Sequence, residues 1–213
     1  MVSIKFVLTN LLGASLFSHL AVAHMELKYP YPRGSVWSPY YSKNNPDFDV
    51  PSPLDETRSY PCQGKPKGPS QASFAAGEEI PVELVGPNTH MGGHCQFAVS
   101  YNGETFVVIK DIMRDCMTVT GNHIPVKLPE ELDEGEAIFA WSWINAQANR
   151  EYYMNCVDIT ITKGTKGGVV TGPQLLVANL PGYETVEEFY YPWLSDGQAL
   201  FDSRPIVSIS KTA

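Results

Sequence analysis

From residue 79 to 85 the chain alternates. Ile80, Val82 and Leu84 are separated by Pro81 and Glu83, the period-two pattern of a strand with one buried face. Similar short runs recur at 96–100, 105–111, 123–128, 137–144 and 152–162, with turn signals between them. Asn102-Gly103 falls between two of them, where a reversal of the chain is expected. The run 137–144 (AIFAWSWI) is apolar at both parities, which predicts a central strand covered on both faces and makes Trp141 and Trp143 core residues. No stretch carries a helical period of ordinary length, and 130–135 suits a single turn at most. Many short strands punctuated by turns predict an all-β chain. Its expected form is an immunoglobulin- or fibronectin-III-like antiparallel β-sandwich with long loops and few short helical turns.

Outside the alternating runs the pattern changes character. Residues 1–23 have one early positive charge, Lys5, then an apolar stretch, and close on Ala21-Val22-Ala23, the small-x-small form of a secretory leader. Cleavage after Ala23 would leave one domain-sized chain, secreted and extracellular. From His24 to about Lys67 the chain is rich in Pro, Tyr, Ser and Asn, which reads as a long loop wrapped on the scaffold. Glycines and lysines at 163–168 mark a flexible connection, and 183–213 reads as an acidic, aromatic extension beyond a domain at 24–182.

Charge and cysteine count narrow the class. The formal net charge is −8, and an acidic surface argues against nucleic acid or an anionic membrane as partner. The four cysteines, Cys62, Cys95, Cys116 and Cys156, lack a C-x-x-C pair, so in an exported chain they favour two disulfides over zinc. Of the three possible connectivities, Cys95–Cys116 with Cys62–Cys156 is favoured; the first ties a hairpin-like region and the second closes a long loop.

The candidate chemistry begins at His24. As the first mature residue it would carry a free α-amine beside its imidazole, two nitrogen donors on one residue. A second histidine would complete a three-nitrogen set that suits copper. His90 sits in NTHMGGHC at 88–95, directly after a predicted strand, where the glycines and a bonded Cys95 could hold an imidazole at the rim. The polar run NREYYMNC at 149–156 opens the last long strand and offers Glu151 and Tyr153. By spacing alone these residues fit surface charge and strand packing equally well.

Together the motifs resemble a known family. His24-Met25, Pro30-Tyr31-Pro32, Pro61-Cys62, the His90-x-Gly-Gly-x-Cys95 loop and Trp141-Ser142-Trp143 all match, in order, fungal lytic polysaccharide monooxygenases. So do the 149–156 block and LVANLPG at 176–182, and the resemblance points to the chitin-active auxiliary activity family 11. It implies a histidine brace holding one copper ion per chain: His24 through its amine and a ring nitrogen, His90 through a second imidazole, and Tyr153 in the axial position. Glu151 would stand beside the oxygen site. It further implies an external electron donor, O2 or H2O2 as co-substrate, and oxidation of an insoluble polysaccharide, chitin or a β-linked relative, at C1 or C4 by a monomer. Asn88 and His94 depart from the family pattern, which keeps open a non-enzymatic brace protein that handles copper.

Other residues carry blander expectations. Tyr31, Trp37, Tyr40 and Tyr41 could stack on sugar rings or pack the loop against the sandwich. His94 and His123 are expected at the surface, and Glu187-Glu188 as a solvated face.

Overall fold

Ten strands carry the described part of the computed structural model, residues 24–190 and 195–211; the leader 1–23 and, in the tail, Tyr191 and Trp193 lie outside it. Strands β1 (Glu26–Tyr29), β3 (Glu79–Val85) and β6 (His123–Lys127) form an antiparallel sheet in the order β1-β3-β6. The larger sheet runs β2-β8-β7-β4-β5, from β2 (Ala72–Ala75), β8 (Tyr152–Thr162), β7 (Gly135–Asn145), β4 (Gly93–Ser100) and β5 (Val107–Ile112). Its ladders are antiparallel except that β2 joins β8 in parallel, with Ala72 opposite Ile159. A ribbon of β9 (Val170–Pro173) and β10 (Ile206–Ile209), a 3-10 turn at Cys62–Gly64 and the five-residue helix α1 (Gln198–Asp202) complete it. The architecture is the expected immunoglobulin-like β-sandwich.

The alternation in β7 explains how the layers stack. Ala137, Phe139, Trp141 and Trp143 point into the core shared with Ile80, Val82 and Leu84 of the smaller sheet. Ile138, Ala140 and Ile144 face the other way, into a second buried cluster with Leu54, Phe106, Val186, Phe189 and Phe201. Both faces of β7 are therefore covered, one by a sheet and the other by loops and the tail. Each strand expected from the pattern is present, and β8 has the expected bounds. Strands β1, β2, β9 and β10 were not expected, because four residues are too few for alternation to register.

Both disulfides form in the favoured pairing, Cys62–Cys156 and Cys95–Cys116, with Cα atoms 5.2 and 5.8 Å apart. Their sequence separations of 94 and 21 residues correspond to about 4–5 and about 3 kcal/mol of chain-entropy stabilisation.

His123 lies exposed, as expected. His94 does not: it sits on β4 with no solvent exposure, its ring stacked 4.2 Å from Phe189 and edge-on to Phe201. Its Nδ1 accepts the Arg114 N–H at 3.0 Å, so Nε2 carries the proton and donates to the Asp196 carbonyl at 2.6 Å. This is a neutral imidazole built into packing, and burial pushes its pKa down to about 4. The unfolded chain then takes up the proton first, near ~6.5. Stability present above that pH is expected to fall by about 3 kcal/mol as pH drops from 6.5 to 4. Urea unfolding at pH 7.5 and 4.5 measures the slope, and a flat stability across that interval would contradict the assignment.

Candidate active site

The first strand delivers His24. Glu26 pairs with Val85 and Leu27 with Leu84, so the chain ahead of Glu26 runs on beside the residues that follow β3. Gly86 makes the contact possible: at φ +156°, a Cβ there would collide with the His24 carbonyl and with Met25. Met25 is wholly buried beneath it while His24 stays half-buried. From the loop region Trp37 donates its indole N–H to Glu26 Oε1 at 2.9 Å and stays 44% exposed. Tyr40, 46% exposed, meets Tyr41 edge-on at 5.0 Å.

The loop after Gly86 carries His90. Its backbone is left-handed at φ +47°, a conformation that costs a non-glycine residue about 1 kcal/mol or more. Asn88 holds it there, its side-chain carbonyl accepting the His90 N–H at 2.9 Å. Replacing Asn88 by Ala is expected to cost about 1 kcal/mol of stability, measured by urea unfolding, since the turn loses its one side-chain bond to the strained residue. Behind the loop the Gly92 carbonyl accepts from Trp143 Nε1 and from the Ala146 N–H, both at 3.2 Å. The Cys95–Cys116 bridge anchors the start of β4 just beyond.

His90 itself is 5% exposed, and its two ring nitrogens differ. Nδ1 lies 2.9 Å from the Gln147 carbonyl, which can only accept, so Nδ1 carries the proton. In the neutral ring Nε2 is then the lone-pair nitrogen, and it is buried with no hydrogen-bond partner. A buried acceptor left unpaired costs about 1–3 kcal/mol, which a bound cation would remove. Asn145, fully buried at the end of β7, steadies the same carbonyl through Nδ2 at 2.7 Å.

Glu151 and Tyr153 lie two residues apart where β8 begins. The Tyr153 hydroxyl donates to Glu151 Oε2 at 2.7 Å. Burial, and then the adjacent carboxylate, push the phenol's pKa upward, so it stays protonated and neutral. Tyr153 sits opposite Trp143 in the ladder with ring centroids 4.7 Å apart, and Trp143 in turn lies 6.0 Å from the His90 ring. Trp143 is thus core, as its position in the strand predicts, and also the plate between two candidate site residues.

The structure therefore brings His90, Glu151 and Tyr153 to one end of the larger sheet, and His24 to the start of the His90 loop. Among the described residues no three His, Cys, Asp or Glu side chains are grouped to hold a metal. A centre here would rest on two imidazoles and an α-amine, which suits copper. Sequence reasoning missed Asn145 and the Gln147 carbonyl. The first had a signal, a polar residue closing an apolar strand; a backbone acceptor has none.

No family model matches the chain. Among curated proteins it is 37% identical over 191 residues to AA11 family lytic polysaccharide monooxygenase A of Aspergillus fumigatus, covering 84% of this chain and 85% of that one. It is 33% identical to the B protein of that species and 29% identical to an AA11 family lytic polysaccharide monooxygenase of Aspergillus oryzae. Those matches cover 73% and 83% of this chain, but the chain spans only 39% and 47% of the two proteins. Solved structures similar to it include a glycoside hydrolase family 61 member of Hypocrea jecorina, at TM-score 0.46 and 22% identity over 68% of this chain and 82% of that one. A cellulose-active polysaccharide monooxygenase of M. thermophila matches at TM-score 0.47 and 18% identity, over 70% and 80%.

Proposed function

Because the chain belongs to the AA11 family of lytic polysaccharide monooxygenases, we propose that it is secreted, cut after Ala23, and binds one copper ion to oxidise chitin or a related β-linked polysaccharide. The observation that carries the metal is His90: a buried imidazole whose Nδ1–H is committed to a carbonyl, leaving Nε2 bare and partnerless. His24 would add its amine and a ring nitrogen. Tyr153 would offer its neutral hydroxyl oxygen as a weak partner.

Copper, when bound, supplies the one-electron activation of O2 or H2O2 that no side chain here can provide, at the expense of an external donor. The protein's share is placement. The Gln147 carbonyl fixes the His90 tautomer, so the neutral ring presents its Nε2 to a metal. Glu151 holds the phenolic proton on Tyr153 and, being half-buried, reaches the solvent edge of the site. Next to His90, Met91 is 59% exposed, an apolar contact for a sugar face at the same rim. A centre at the rim suits an insoluble polymer, whose chains cannot enter a deep pocket.

Cleaved, copper-loaded protein given ascorbate and β-chitin is expected to release oxidised chito-oligosaccharides, read by mass spectrometry. Copper binding without oxidised products from chitin, cellulose or other glycans would leave the brace standing and defeat the enzymatic reading.

A further inference from the structure

We propose that Glu188, in the C-terminal segment, is a positioning residue for the His90 imidazole, acting through the single peptide unit that joins Gln147 to Ala148. The copper part of this inference rests on the brace reading; the part concerning the ring does not. That peptide is trans, so its C=O and N–H point in opposite directions. On one side the Gln147 carbonyl accepts the His90 Nδ1–H at 2.9 Å. On the other the Ala148 N–H donates to Glu188 Oε1 at 2.5 Å. A carboxylate, a planar amide and an imidazole are thus connected in series.

The series has electrical consequences. A bond from an amide to a carboxylate is charge-assisted and roughly twice as strong as a neutral one. It draws the amide proton outward and polarises the peptide, which makes the Gln147 carbonyl a better acceptor. A better acceptor on Nδ1–H leaves Nε2 a stronger electron donor, as a carboxylate bonded directly to a metal-binding histidine does. Here the carboxylate acts one peptide removed.

The surroundings hold this unit in place. Ala148 is left-handed at φ +78°, strained for a residue with a Cβ. Its N–H is held by Glu188 and its carbonyl by the Arg150 guanidinium, from Nε at 3.1 Å and Nη2 at 2.8 Å. Arg150 Nη1 also reaches the Asn145 and Val186 carbonyls, both at 3.2 Å, and the guanidinium lies 4.0 Å from Glu188. Glu188 is placed by its neighbour: the Phe189 N–H donates to the Ala146 carbonyl at 2.9 Å, and the Phe189 ring stacks on buried His94. The glutamate expected to be a solvated face therefore keeps an exposed side chain with a committed carboxylate.

The test uses the full chain cleaved after Ala23, with Glu188→Ala, Glu188→Gln and the exposed neighbour Glu187→Gln. Glutamine keeps an acceptor oxygen without the charge. In copper-free protein the His90 Nδ1–H proton resonance is expected to move upfield in Glu188→Ala and by less in Glu188→Gln, with Glu187→Gln unchanged. Cu(II) affinity should fall about 10–100-fold in Glu188→Ala, with altered hyperfine coupling in EPR and an intermediate value for the glutamine variant. A resonance and an affinity at wild-type values in folded Glu188→Ala overturn the proposal, and if that variant does not fold the glutamine variant decides. Wild-type protein that binds no copper would refute the brace and leave the resonance to judge Glu188.

Discussion

A chain carrying one extra residue ahead of His24 is expected to keep its fold and lose tight copper binding. The extension turns the α-amine into an amide, whose nitrogen has no basic lone pair. His24 then falls from a two-point chelate to a single imidazole. The second donor of a chelate binds at high effective concentration, so losing it should weaken Cu(II) binding about 10³-fold or more, about 4 kcal/mol. The fold should not notice. β1 begins to pair at Glu26, and Met25 packs in the core with Leu27 and Leu84. Copper-free thermal midpoints of the two proteins should coincide, while a Cu(II) titration and the EPR spectrum differ. The amine must also shed its proton to bind, so wild-type affinity should rise with pH up to about 8 and the extended protein should show little of that rise. Equal affinity in the two proteins would remove the amine, and with it the brace.

That prediction turns on a residue visible at a cleavage site, and its visibility shows where sequence reading succeeds here. β8 could be bounded because its second half, Val157 to Thr162, alternates apolar and polar up to the Lys163-Gly164 break. The two-faced burial of β7 could be foreseen because apolar residues occupy both parities. β1, which carries His24 into place, could not: four residues inside a Pro- and Tyr-rich stretch give no period, and the pairing with β3 is made across more than fifty positions. His94 was misplaced for a related reason. It follows a Gly-Gly pair that signals a loop, whereas its burial comes from Phe189 and Phe201 about a hundred residues later. The candidate site divides in the same way. His24, His90, Glu151 and Tyr153 stand in recognisable motifs, but the Gln147 carbonyl is backbone, and Glu188 looks like any surface acid until the fold brings Ala148 against it.

Removing the Asp158 carboxylate is expected to be among the most damaging single changes to stability. Asp158 is 2% exposed on β8 and accepts from Arg33 Nε at 2.8 Å and Nη2 at 2.6 Å, a planar fork against a planar acid. The Gly68 N–H adds a third bond at 2.8 Å, and Arg33 Nη1 reaches the Lys65 carbonyl at 2.9 Å. The Arg33 N–H also donates to the carbonyl of Cys156, whose disulfide runs to Cys62. One carboxylate thus fastens both ends of the loop region to the sheet. Asp158→Asn keeps the shape but leaves the Arg33 guanidinium, 7% exposed, without a counter-charge, which should cost about 3–5 kcal/mol. For a domain of this size that is a fall of roughly 6–20 °C in melting temperature. The pair is not thereby a net source of stability, because its desolvation opposes its attraction. Arg33→Met combined with Asp158→Leu should therefore recover much of the loss, and a double-mutant cycle by urea unfolding measures the coupling directly. A loss below about 1 kcal/mol in Asp158→Asn would mean that water reaches the guanidinium, and that the loop is held by the disulfide rather than by the charge.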